Sequence, residues 1–498
     1  MKAYPRSPSG LAAPPWQLWA AALSLAAFAG LALAFIATAF GERTVYFLAT
    51  AAVGGCGAFV AFTRRAPLRF IFLAVLCGLP VAGVLVPPGR FGVTAFDAVM
   101  IMLSFCLVGR YLMAKHESQL PLFPTRSLLI AWLLFLPCVV LSQFPALSAV
   151  RYVATFALHT FFWFALAEQG RRNGSERLVL MLAGVLLVVA LGVVADHALR
   201  LNLSLRGANL NQISYLAGVE IYRAAGFFQD AQRAGAFIAT VVTFLLVLTV
   251  RGRFASPKIR TAIWLAIVAG LAALPFTISR GAILSCLAVS TLALFAFNAW
   301  HTHVKVLVAA LVVTALLATQ TSLDLWLDAL PTTMRERFLH IGDEFASRLF
   351  IWFDTWEMFA DHPLTGIGPG SFRSYLLETR PGAYSYYDIG AGTGVAYVPD
   401  QPESGYFKIL YEGGVLGTLA ALLVAGDAVR RSLAVIADRA ASSAARTECI
   451  AALAGLATFG LTFVTVFTAA DVRLGALLAL LLAVIWHRSL ERARPGRG

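Results

Sequence analysis

The chain has 498 residues, 59% of them hydrophobic and only 13% charged, with a mean hydropathy of +0.77. That composition excludes a soluble globular protein of this length. The formal charge of +13 would suit nucleic acid, but the charges are spaced as membrane topology requires, so no nucleic-acid partner is expected.

Apolar runs of about 17–25 residues, each long enough to cross a bilayer as a helix, recur from end to end. About fourteen spans are expected: 16–40, 44–62, 68–86, 92–109, 127–145, 149–167, 178–196, 234–250, 261–278, 281–298, 304–319, 405–425, 448–469 and 473–487. The first is too long for a signal-peptide core and another follows at once, so it reads as an uncleaved helix. With the N-terminus inside, the cytoplasmic segments hold clusters such as Arg64, Arg65 and Arg69; Arg171, Arg172 and Arg177; and Arg430, Arg431, Arg439 and Arg446. Short outer connections hold single arginines: Arg43, Arg90, Arg151, Arg280 and Arg473. This alternation is the positive-inside rule and puts both termini in the cytoplasm. All six cysteines fall inside expected spans. No metal-ligand spacing such as CxxC occurs, so neither a metal site nor a cofactor is expected.

Two outer segments are long, about 197–232 and 320–404. They divide the chain into a transmembrane bundle of about eleven helices (1–319), an outer loop with amphipathic helices (320–404) and C-terminal transmembrane helices (405–498). Within the loop, Phe345, Leu349, Trp352, Phe353, Trp356 and Phe359 recur at helical spacing, which predicts a helix from Asp343 to Asp361. It should stop at His362-Pro363, because proline disfavours helical geometry in the residue before it. A glycine turn, 366–370, a short helix over 371–379 and a Gly/Tyr loop over 381–399, a candidate lid, come next. Ser404 is placed to cap the span that follows. No internal repeat is present, whereas many transporters are built from related halves.

Three arginines share the outer side. Arg280 lies between two long apolar runs, where an arginine is costly to insert and is usually kept for function. Arg223 precedes the span at 234–250, and Arg348 lies on the amphipathic helix. Nucleotide donors are absent outside the cytoplasm, so a transferase there needs a donor that brings its own activation. A glycan on a lipid pyrophosphate does so, and the planar guanidinium fork suits its phosphate oxygens. An acceptor hydroxyl also needs a proton acceptor. Glu403, at the mouth of the span at 405–425, is the best-placed carboxylate, with Asp361, His362, Asp400 and His340 as competitors. Each has a structural alternative. For Arg280 it is snorkelling to the interface or pairing with a buried acid such as Asp97, and for Arg348 it is stacking on Trp352; the glycine turn resembles a phosphate loop only loosely, lacking its Lys-Ser/Thr.

In order, Arg223-Ala224-Ala225-Gly226-Phe227-Phe228, Ser279-Arg280-Gly281-Ala282, the stretch from Arg348 through Trp352 to Asp361-His362-Pro363 and Phe372, and Gly405-Tyr406 to Gly413-Gly414 and Gly417 resemble the O-antigen ligase and polysaccharide polymerase superfamily. The resemblance implies an all-α polytopic membrane glycosyltransferase, GT-C-like and metal-independent, in the bacterial inner membrane. Its donor would be an undecaprenyl pyrophosphate-linked glycan bound on the periplasmic face, and its acceptor a glycan or a lipid-linked glycan. Arg280 and Glu403 are the expected catalytic residues, and Arg223, Arg348 and Tyr406 the expected substrate-binding ones. Ligases of the superfamily usually carry a histidine just before the helix matching 405–417, where this chain reads Asp400-Gln401-Pro402-Glu403. The sequence therefore leans to a polymerase of O-antigen or exopolysaccharide repeat units. Transfer to lipid A core is the alternative, and a lipid-linked oligosaccharide flippase is the rival of another class.

Overall fold

The structure, a computed structural model, describes residues 125–142, most of 153–166, 176–200, 213–216, 219–296 with short gaps, 341–379, 385–388, 393–396, 403–466 and 471–492. In chain order its helices are α1 (Arg126–Val140), α2 (Glu176–Leu199), α3 (Ala231–Val250), α4 (Pro257–Ala273), α5 (Arg280–Ala296) and α6 (Ile341–Asp361). They continue as α7 (Phe372–Thr379), α8 (Gly405–Ala437), α9 (Ser443–Thr462) and α10 (Val472–Arg492). Among the described residues, α2, α3, α4, α8, α9 and α10 are long and apolar enough to cross a membrane, and α1 and α5 are shorter apolar helices. Each falls on an expected span. The expected spans at 16–40, 44–62, 68–86, 92–109 and 304–319 lie outside the described residues.

Helix α3 touches α2, α4, α5, α9 and α10, and every residue from Ala234 to Leu245 is buried. A helix that is apolar on all sides belongs inside a bundle, and small residues let its neighbours close in. A Cβ on Gly235 would stand 2.8 Å from that of Ser279, so α3 lies directly against the segment before α5. By contrast α4 exposes Trp264, Leu265, Val268 and Leu271, a face suited to lipid tails.

Helix α8 has 33 residues. A straight helix of that length would rise about 50 Å, against a hydrocarbon core of about 30 Å. It is broken at Gly414, which adopts φ 59° and ψ −157°. The loop after α6 satisfies the backbone groups freed there. Val415 and Leu416 N–H donate to the carbonyls of Pro363 and Leu364 at 2.8 and 3.0 Å. Ile367 and Gly368 N–H donate to those of Tyr411 and Glu412 at 3.1 and 3.0 Å. Irregular backbone at membrane depth persists when protein groups bond it in this way. The N–H groups of Gly366, Ile367 and Gly368 are thereby committed within the protein, which makes the glycine turn a plug for the broken helix and not a phosphate cradle.

The approach is close enough to test. A Cβ on Gly414 would lie 2.4 Å from the Leu364 carbonyl oxygen, and the residue has positive φ as well. Gly414→Ala is expected to cost at least about 2 kcal/mol, from left-handed strain plus a clash with backbone. The unfolding midpoint of the purified protein should drop; an unchanged midpoint would show that the plug contributes little.

Helix α6 spans Ile341–Asp361, close to the expected range, and ends before His362-Pro363. Its Trp352 stacks on Phe407 of α8, with ring centroids 5.3 Å apart. Met358, Ile367, Phe372, Leu376 and Tyr411 form a small core beneath it. A second apolar face, Leu349, Phe353 and Trp356, is exposed.

The described bundle is helical, as expected, and two short antiparallel hairpins stand in the long segments between its helices. Strand β1 (Ile213–Leu216) pairs with β2 (Val219–Tyr222), and β3 (Ser385–Asp388) with β4 (Thr393–Ala396). The second lies in the stretch expected as a Gly/Tyr loop. Tyr, Val, Ile and Thr favour strand geometry, and the pairing won over the glycine signal.

Candidate active site

Between α4 and α5 the chain reverses in a few residues. A 3-10 turn covers Leu274–Thr277, Ile278 adopts φ 49°, and α5 begins at Arg280. A left-handed conformation costs a branched residue about 1–2 kcal/mol, and such strain clusters at functional sites. The Thr277 hydroxyl fixes the turn, donating to the Leu274 carbonyl at 2.7 Å and accepting from Ser279 N–H at 3.3 Å. Arg280 consequently stands at a helix start, where unpaired N–H groups and the dipole favour an anion.

Arg223 belongs to a turn built on one carboxylate. Asp196, near the end of α2, accepts from the N–H groups of Ala225 and Gly226 at 3.0 and 2.9 Å and from the Tyr222 hydroxyl at 2.8 Å. Gly226, at φ 55°, lets the turn lie on Gly192 and Val193. Ala224 N–H donates to the Phe276 carbonyl at 3.1 Å, so the Arg223 and Arg280 segments are joined directly. Sequence reasoning missed Asp196; the signal was a lone acid closing an apolar run.

Glu403 lies opposite. Its φ is 51°, a second strained non-glycine residue beside the site, and its carboxylate is 3.6 Å from Arg348 of α6. Burial pushes the carboxyl above the ordinary glutamate value, although 29% of the side chain remains exposed. Arg348 pulls it back most strongly, Asp230 raises it, and Arg223 and Arg233 lower it. Glu403, Arg348 and Arg223 are therefore within electrostatic reach of one another. The expected cap at Ser404 makes no side-chain hydrogen bond. Instead the start of α8 is held by Gly405 N–H, which donates to the Phe463 carbonyl at 2.8 Å. Tyr406 sits beside it with its hydroxyl donating to the Gly460 carbonyl at 2.8 Å and its ring edge-on to Phe463. That arrangement makes Tyr406 an anchor between α8 and α9. The turn after α9 also reaches α5, since a Cβ on Gly281 would stand 2.6 Å from Thr465 Oγ1.

Of the competing bases, Asp361 accepts from the Tyr375 hydroxyl at 3.4 Å and His362 is half-buried in the turn that ends α6. Asp400, His340 and Asp97 lie outside the described residues. Sequence reasoning also missed a buried pair one turn into α8, Lys408 Nζ to Glu412 Oε1 at 2.6 Å. Its i,i+4 spacing was the available signal. The Glu412 carbonyl binds the loop plug, so this pair braces the broken helix.

Two more arginines enter the site unannounced. Arg233 lies in the first turn of α3, after the Asp230 cap, and its charge acts on Glu403. Arg473, in the first turn of α10, is buried, and its guanidinium lies 4.5 Å from the Phe228 ring centre. Arg473 had been read only as a topology charge, because nothing in its sequence neighbourhood showed that α10 begins against the Arg223 turn.

Arg348, Arg223 and Arg233 thus lie within electrostatic reach of one carboxylate, and Arg473 packs on Phe228 of the Arg223 turn. Residues 264–422 match the family described as O-antigen ligase. The match supports the O-antigen ligase superfamily for this chain, in agreement with the motifs. It takes in Arg280, Arg348, Glu403 and Tyr406, while Arg223, Arg233 and Arg473 lie beyond it. No curated protein matches the chain.

Proposed function

We propose that the protein is a bacterial inner-membrane glycosyltransferase that polymerises O-antigen or exopolysaccharide repeat units on the periplasmic face. Its donor is a glycan on undecaprenyl pyrophosphate, and both its termini are cytoplasmic. The observation that supports this best is the pairing of Glu403 with Arg348, near Arg223, next to a turn that presents Arg280 at a helix start. The acceptor hydroxyl gives its proton to Glu403 as its oxygen bonds to the anomeric carbon of the donor. The bond from that carbon to the pyrophosphate breaks, and the electron pair leaves with the lipid pyrophosphate. Arg280, Arg223 and Arg348 offset the charge that develops there, the largest contribution such a site can make. Helix α6 supplies Arg348 from the loop 320–404, and no metal takes part in the step.

The family description favours a second reading, ligation to lipid A core; the absence of a histidine at 400–403 weighs against it. Reconstitution separates the two. Purified protein given undecaprenyl pyrophosphate-linked repeats alone should produce a ladder of longer chains and free lipid pyrophosphate. Turnover only when lipid A core is added would replace this reading with the ligase.

The pH profile adds a check. A base must be ionised, so activity falls as pH drops through the Glu403 value, which burial has raised. Because Arg348 is the strongest influence lowering it, Arg348→Gln should move this acid limb to higher pH. A limb that stays in place would remove Glu403 as the group that titrates.

A further inference from the structure

The arginines on the far side of Glu403 hold nitrogens that ordinary packing would not leave bare. The Nε atoms of Arg223 and Arg233, and both Nε and Nη1 of Arg473, are buried and have no hydrogen-bond partner among the described residues. Arg223 is 6% exposed and Arg473 only 3%. A buried charge without hydrogen-bond partners costs several kcal/mol, which the ring of Phe228 beneath Arg473 offsets only in part.

The nearby acids act on this group through space, Asp471 on Arg473 among them, but leave these nitrogens without a hydrogen bond among the described residues. Asp230 caps α3, with Oδ1 accepting from Gln232 N–H at 3.0 Å. Asp471 caps α10, with Oδ1 accepting from Arg473 N–H at 2.9 Å. Glu403 is within ion-pair distance of Arg348. Three guanidinium groups therefore stand among carboxylates that have other work. Phe228 joins them: it follows Arg223 in the same turn, precedes Arg233 by five residues, and carries Arg473 over its face.

We infer that Arg233 and Arg473, with Arg223, form an anion seat for the diphosphate group of the donor, and that Arg473 on α10 is a binding residue of this enzyme. The inference rests on the proposed donor and adds to it two residues outside the family match. The seat suits the leaving group better than the bound donor. A diphosphate diester has two negative charges, and the lipid pyrophosphate released from it has up to three once the carbon–oxygen bond has broken. A third guanidinium thus favours the later state, the condition under which binding energy accelerates a reaction.

The test uses the full-length protein in detergent with farnesyl pyrophosphate as probe, read by calorimetric titration and by thermal unfolding. Arg473→Met keeps bulk over Phe228 and removes the charge. It should weaken farnesyl pyrophosphate binding about tenfold or more, with the ligand-free unfolding midpoint unchanged or raised, since an unsatisfied buried charge has gone. Arg473→Lys keeps the charge without the fork and should bind several-fold more weakly than wild type. Inorganic pyrophosphate should compete with the probe. Wild-type affinity in Arg473→Met, alongside lost binding in Arg280→Ala, would overturn the seat and leave the donor reading intact. A lowered ligand-free midpoint at wild-type affinity would make Arg473 a structural residue. Should Arg473→Met fail to accumulate, wild-type affinity in Arg473→Lys overturns the proposal. No binding of farnesyl pyrophosphate by the wild type would sink the donor reading together with the seat, as would a failure of inorganic pyrophosphate to compete.

Discussion

Arg280→Ala is expected to lower product formation by roughly 10²–10³-fold, the usual loss when one preorganised partner of a developing charge is removed, while the protein accumulates in the membrane at its normal level. The turn before α5 is held by Thr277 and by the close contacts of Gly235 and Gly281 with Ser279 and Thr465. None of these uses the Arg280 guanidinium. Loss of product with loss of protein would make Arg280 a folding residue, and full activity in the variant would end its assignment to the donor. Glycan profiles and membrane levels from the same cells separate these outcomes.

Glu403→Gln is the second large effect. The amide keeps the size and left-handed backbone of the residue but accepts no proton at neutral pH, so turnover should fall by roughly 10²–10⁴-fold, the range for a lost general base. Donor binding should persist, because the substitution removes a negative charge from among Arg223, Arg233 and Arg348. Farnesyl pyrophosphate affinity equal to wild type or tighter, with turnover lost, is the expected pattern. Turnover within threefold of wild type would pass the base to another carboxylate, with Asp361 and Asp400 next in line.

Much of the helical plan was legible because apolar length is a strong signal: α2, α3, α9 and α10 fall where runs of suitable length stand. The amphipathic α6 was legible to within two residues at its start, and its end was fixed by His362-Pro363. Other features depended on tertiary contacts. Gly414 looks like any glycine in a span until the loop 363–368 is seen bonded to the break it makes. Tyr406 is expected to bind substrate, and the bond from its hydroxyl to the Gly460 carbonyl is a contact that its motif does not announce. At the site, Arg223, Arg280, Arg348 and Glu403 could be named from the outer placement that the charge pattern predicts. Arg233, Arg473 and Asp196 could not, because their roles come from α2, α3 and α10 meeting at one end of the bundle. A charge in a first helical turn looks the same whether it faces solvent or a buried neighbour.

The central claim is that this protein joins lipid-linked repeat units outside the cytoplasm. The most direct measurement is a size-resolved glycan profile from cells lacking the gene, with lipid-linked and finished pools separated. The account predicts single repeats, exposed on the periplasmic face, in place of long chains. Long chains stranded on the carrier lipid beside uncapped core, or single repeats trapped on the cytoplasmic face, would contradict it.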